Sequence, residues 1–109
     1  MGESSRFDLK RCKIWGSKQV GLVFWAGAQG TVWDCDVTEN LLGGFRIWQQ
    51  AEPLIRDSRI NGNGRQGIYV YDGGGGAMTR CELSGNQGGS LLVEAGCAFQ
   101  VLGESASSN

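Results

Sequence analysis

Histidine is absent from this chain, and no two of its four cysteines stand in a CxxC spacing. A zinc site of the usual His/Cys kind therefore has no ligand set, and no imidazole is present for acid–base work. A dominant charge is missing too: ten basic and eleven acidic residues leave a net charge of −1. These charges are scattered, so there is no basic stripe of the kind that tracks a nucleic-acid backbone. No apolar run is long enough to span a bilayer, and residues 1–10 lack the apolar centre of a secretory leader. The expectation is a single domain without nucleic-acid or membrane partners, in an intracellular setting.

What the chain has is a period. Cut every 23 residues from Arg11, it gives four segments that align without a gap, at 11–33, 34–56, 57–79 and 80–102. A fixed period of this length containing strand-like patterns predicts a solenoid with one coil per repeat. Each offset then becomes a column along the solenoid axis. Ile14, Val37, Ile60 and Leu83 share one, and Leu22, Phe45, Ile68 and Leu91 another. Phe24, Ile47, Val70 and Val93 form a third; Val32, Ile55, Met78 and Val101 form a fourth. Within a coil these positions alternate with polar ones, the period of a strand buried on one face. Three short strands per coil are predicted, stacked into parallel sheets. Residues 5–10 (SRFDLK) read as the last strand of a lead-in coil at 1–10, and residues 103–109 as a flexible tail.

The corners carry glycine and asparagine. Gly21, Gly44 and Gly67 precede the second strand, with Ser90 in the last coil, while Gly16, Gly62 and Gly85 lie earlier. Ser17, Asn40, Asn63 and Asn86 form a neighbouring column. Both sets are expected to supply the left-handed backbone of sharp corners. Lys13, Asp36, Arg59 and Glu82 alternate in sign up an outward column, which favours this register over slipped ones. Cys12, Cys35 and Cys81 share an inward column with Ser58, and Cys97 follows Ala28, Ala51 and Gly74. They are expected to be reduced and to pack as small apolar residues. Cys35 and Cys81 are two coils apart, beyond bridging reach; Cys12 and Cys35 are near enough in principle.

These columns resemble the right-handed parallel β-helix repeat of pectate-lyase-like proteins over residues 11–102. The alternation of IWG and ING with TEN and SGN, and the single AEPLIR, is similar to the β-helix region of F-box-only proteins. That second resemblance implies a substrate-recruiting part of a ubiquitin ligase. No F-box is present in these residues. The expected fold class is all-β, a right-handed single-stranded parallel β-helix of four coils.

Two surfaces compete for function. Trp25, Trp48 and Tyr71 fall in one outward column ending at Glu94, beside a second column of Val23, Arg46, Tyr69 and Leu92. Aromatic residues and arginine at interfaces combine large rigid area with a polar handle. Trp25, Arg46, Trp48, Tyr69 and Tyr71 are therefore the expected binding platform, for a protein or peptide or else a glycan, in a module belonging to a larger protein. Without an evident cap, end-to-end self-association is a further expectation. The alternative is a fragment of a carbohydrate-active lyase or hydrolase. There Asp34 and Asp57, neighbours in one column, would be the catalytic pair or would bind Ca²⁺. Arg11 and Arg80 flank that same column, as expected for a purely structural charge ladder. The reading adopted leans away from catalysis and expects neither cofactor nor metal. YDGGGGA at 71–77 precedes a strand rather than a helix, so it reads as a corner and not a phosphate loop.

Overall fold

The computed structural model describes residues 5–102 in full and the backbone of 106–108. Every described element is a strand, and the strands form three parallel walls. Wall A contains β1 (Arg6–Lys10), β4 (Gln29–Trp33), β7 (Glu52–Arg56), β10 (Gly75–Thr79) and β13 (Ala98–Leu102), stacked in that order. Wall B holds β2 (Lys13–Trp15), β5 (Asp36–Thr38), β8 (Arg59–Asn61), β11 (Glu82–Ser84) and β14 (Ala106–Ser108). Wall C is β3 (Leu22–Phe24), β6 (Phe45–Ile47), β9 (Ile68–Val70) and β12 (Leu91–Val93).

The register follows the 23-residue step. Ile14 faces Val37, which faces Ile60, which faces Leu83. On wall C, Leu22, Phe45, Ile68 and Leu91 form one continuous row, and on wall A so do Val32, Ile55, Met78 and Val101. The inward rows make a single core in which Phe24, Phe45, Ile47, Ile55, Ile60, Ile68 and Leu83 are fully buried. Like side chain meets like side chain at strand spacing, so a register slip would turn each wall inside out. β1 pairs with β4 along its whole length, as a lead-in strand should. Within the segment expected to be a tail, Ala106–Ser108 pair with β11, Glu82 facing Ala106 one residue beyond the regular step. Residues 1–4, 103–105 and 109 lie outside the described residues.

Two devices at the corners differ from expectation. Gly16, Gly62 and Gly85 do adopt left-handed backbone, with φ of 71°, 65° and 65°. Gly21, Gly44 and Gly67 do not; they are glycine because the next coil comes too close. A Cβ at Gly21 would stand 2.7 Å from Asn40 Nδ2, and one at Gly67 would stand 2.8 Å from Asn86 Nδ2. The asparagines, too, are not left-handed residues. They point inward as a ladder, fully buried at Asn40 and Asn63. Asn63 Nδ2 donates to Val37 O at 3.1 Å and to Asn86 Oδ1 at 2.8 Å, and its Oδ1 accepts from the backbone and amide nitrogens of Asn40, each at 3.1 Å. Each rung thereby satisfies corner groups of the neighbouring coils that burial would otherwise leave unpaired.

The left-handed corner is taken instead by Arg11, Asp34, Asp57 and Arg80, with φ of 52°, 54°, 52° and 52°. Just after it comes the cysteine column, and it does more than fill space. Cys12, Cys35, Ser58 and Cys81 each donate to the carbonyl two residues back: Lys10, Trp33, Arg56 and Thr79 at 3.4, 3.4, 2.9 and 3.4 Å. Ser58 can replace a cysteine because the column calls for a small donor at a corner, not for sulfur. All four cysteines are free thiols.

Candidate functional site

The outward face of wall C carries the expected platform. Trp25 follows β3, Trp48 follows β6 and Tyr71 follows β9, so the helical rise lays one ring upon the next. Trp25 and Trp48 stack with centroids 6.2 Å apart and 24° between planes. Trp48 and Tyr71 are 5.7 Å apart with planes nearly parallel at 8°. Tyr69 closes the stack on Tyr71 at 4.5 Å. Arg46 stands in the adjoining column between Val23 and Tyr69 and is half-buried. The Tyr69 hydroxyl donates to Glu94 Oε2, and this bond to a carboxylate is the main cause pushing the phenol's pKa above its ordinary value.

The structure thus gathers all five platform residues on one wall. It also determines which parts of them are available. Trp48 lies between the rings of the coils on either side, so a ligand meets its edge, and Tyr71 stacks with both Trp48 and Tyr69. An open face remains at Trp25, which is 38% exposed. Trp48 Nε1 is buried with no hydrogen-bond partner among the described residues.

Asp34 and Asp57 are also neighbours, but their oxygens are engaged. Asp57 accepts from Arg80 Nε at 2.8 Å, Arg80 Nη2 at 3.0 Å and Trp33 Nε1 at 3.2 Å. Arg59 reaches across the corner, with Nη1 2.9 Å from Asp34 Oδ1 and Nε 2.6 Å from Asp36 Oδ1. The Arg80 fork holds the Asp57 carboxyl below the usual carboxylate range, and Arg59 does the same for Asp36. A general acid needs its pKa raised, and two bare carboxylates sharing a site would raise one of them. At Asp57 the shift runs the other way. Arginine nitrogens rather than further oxygens lie against these carboxylates.

A family profile described as the right handed beta helix region matches residues 1–106. The chain belongs to the right-handed β-helix family. The match is to the repeat as a whole and gives no closer tie to F-box-only proteins. No curated protein and no solved structure matches the chain significantly. Membership fixes the hand of this β-helix and its one-coil step, but it assigns no chemistry to any residue.

One cluster on the β-helix escaped the column reading. Trp33, at the end of β4, lies in a shallow cleft on wall A lined by Asp8, Lys10, Thr31 and Arg56. Its neighbours across the strands are Lys10 and Arg56, and the Arg11 guanidinium lies 5.4 Å from its ring centroid. The aromatic does not recur in its column, where Lys10, Trp33, Arg56 and Thr79 succeed one another. A search for repeated features passes over it.

Proposed function

We propose that this β-helix is a non-catalytic binding module whose recognition surface is the outer face of wall C, and that its partner is a protein or peptide. The four-ring stack Trp25–Trp48–Tyr71–Tyr69 with Arg46 alongside carries the reading. Rings fixed by mutual stacking lose little conformational entropy on binding, which suits them as anchors. The stacking favours a polypeptide over a glycan, because sugars stack on open ring faces and Trp48, in the middle of the stack, offers none. The substrate-recruiting role implied by the resemblance to F-box-only proteins would be one use of such a surface.

The test is to select displayed peptides against the intact chain and to measure their affinity by fluorescence anisotropy. A Trp48→Ala, Tyr71→Ala double variant with an unchanged circular dichroism spectrum should bind them roughly thirtyfold more weakly, as for loss of two interface anchors. Equal affinity for the folded variant would remove wall C from the account. Selection of ligands that are blocked by an oligosaccharide rather than by free peptide would transfer the surface to glycans.

A further inference from the structure

We propose that the cleft around Trp33 on wall A is a second recognition site, which takes a carboxylate presented by an acidic peptide. It stands on a different wall from the aromatic stack and does not depend on that surface being a binding face.

Three observations lead here. The first is a rigid floor. Trp33 Nε1 donates to Asp57 Oδ2 at 3.2 Å, and Asp57 is itself gripped by both Arg80 nitrogens, so the indole is locked in orientation before any ligand arrives. The second is unspent positive charge. The carboxylates nearby are committed, Asp57 to Arg80 and both Asp34 and Asp36 to Arg59. Lys10 and Arg11 enter no ion pair among the described residues. Arg56 is held only loosely: its Nε, buried and without a hydrogen bond, makes a long ion pair of 3.8 Å with Asp57 Oδ2, on a carboxylate that Arg80 already grips. The third is placement: β1, β4 and β7 hold Lys10, Trp33 and Arg56 in register on the outer face, so an ammonium and a guanidinium flank the ring at strand spacing.

A planar carboxylate matches the guanidinium fork, and the methylenes of a glutamate side chain can lie on the indole between the two cations. Thr31 adds a hydroxyl to the cleft lining. Asp8 also lines the cleft, and no basic stripe continues from it to follow a phosphodiester backbone. These features favour the carboxylates of an acidic peptide over nucleic acid.

The experiment uses the full chain labelled with nitrogen-15, following the indole N–H of Trp33 and the Nε–H of Arg56 by two-dimensional NMR. A synthetic tetraglutamate peptide is titrated beside its tetraglutamine counterpart and a short single-stranded oligonucleotide. Saturable shifts at both groups are expected with tetraglutamate alone, weakening as salt is raised. Lys10→Gln with Arg56→Gln should raise the dissociation constant roughly tenfold, and Trp48→Ala should leave it unchanged. Should the double variant fail to fold, Lys10→Gln alone, at an exposed side chain, should still weaken binding several-fold. Absence of shifts at millimolar tetraglutamate overturns the proposal. So do equal shifts with tetraglutamine, a response to the oligonucleotide only, or shifts indifferent to Lys10→Gln.

Discussion

Asn63 and Gly44 are two halves of one device. The asparagine reaches into the coil below, and the glycine of that coil lacks a side chain because the amide arrives there; a Cβ on Gly44 would stand 3.2 Å from Asn63 Nδ2, 2.7 Å from Ile60 Cγ2 and 2.5 Å from Gly67 O. Asn63→Ala would take the side-chain donor from the Val37 carbonyl and the acceptor from both Asn40 nitrogens, of which Nδ2 keeps only its bond to Ile14 O. It should cost about 2–4 kcal/mol, read from urea unfolding, since buried groups lose partners with no water to replace them. Gly44→Ala should cost about 1–3 kcal/mol through overpacking against backbone that cannot move aside. Ser90→Gly, in the coil where a side chain is tolerated, should lie much closer to neutral. Both columns were visible in the sequence as columns. Their reason was not, because a glycine looks the same whether its φ or its neighbour demands it.

At the level of elements, the corner between walls A and B concentrates the cost and the compensation. Four non-glycine residues hold left-handed backbone there, each at about 1 kcal/mol or more. The thiol and hydroxyl donors two carbonyls away and the Arg80–Asp57 and Arg59–Asp34–Asp36 pairs work against that cost. Because Asp36 and Asp57 titrate below their unfolded range, the stability they lend is present above about pH 4 and is lost as pH falls through their depressed values. Thermal midpoints should be level from about pH 5 to 8 and drop below about pH 4. Asp36→Asn with Asp57→Asn should lower the plateau and flatten the acid limb. A drop of undiminished steepness in that variant would place the acid sensitivity elsewhere. The start of β7, where the chain passes from wall C to wall A, shows where strand rules bend: Pro53 is buried in this central strand, and the pairing to β10 starts only after it, at Leu54 with Ala77.

Over the whole molecule, the architecture was legible because one spacing repeats in every segment. Ile14, Val37, Ile60 and Leu83 need only be written under one another to show their row. What recurs within a column could be read; what joins different columns could not. Arg59 reaching past Asp36 in its own column to Asp34, or Trp33 donating its indole N–H to Asp57, depends on side-chain reach across offsets that no alignment of the coils displays. The platform lay between these cases: its column was plain, its ring-on-ring coverage was not. Thiol chemistry offers a readout at this scale. Burial pushes the Cys35 and Cys81 thiols up, so the stability linked to them persists through neutral pH and declines as pH rises above about 9. Alkylation should mark the half-buried Cys12 and Cys97 first and reach Cys35 and Cys81 only as fast as the chain globally unfolds, as mass spectrometry would show. Prompt labelling of Cys81 in the native chain would mean that the coils open singly.

The outward column of Lys13, Asp36, Arg59 and Glu82 also limits how such an array can change in size. Excising the second coil would set Lys13 against Arg59, and excising the third would set Asp36 against Glu82; only removal of both restores an attractive neighbour. Shortening or lengthening is therefore governed by parity, and duplications that add coils two at a time inherit a compatible seam where odd ones must mutate to make one.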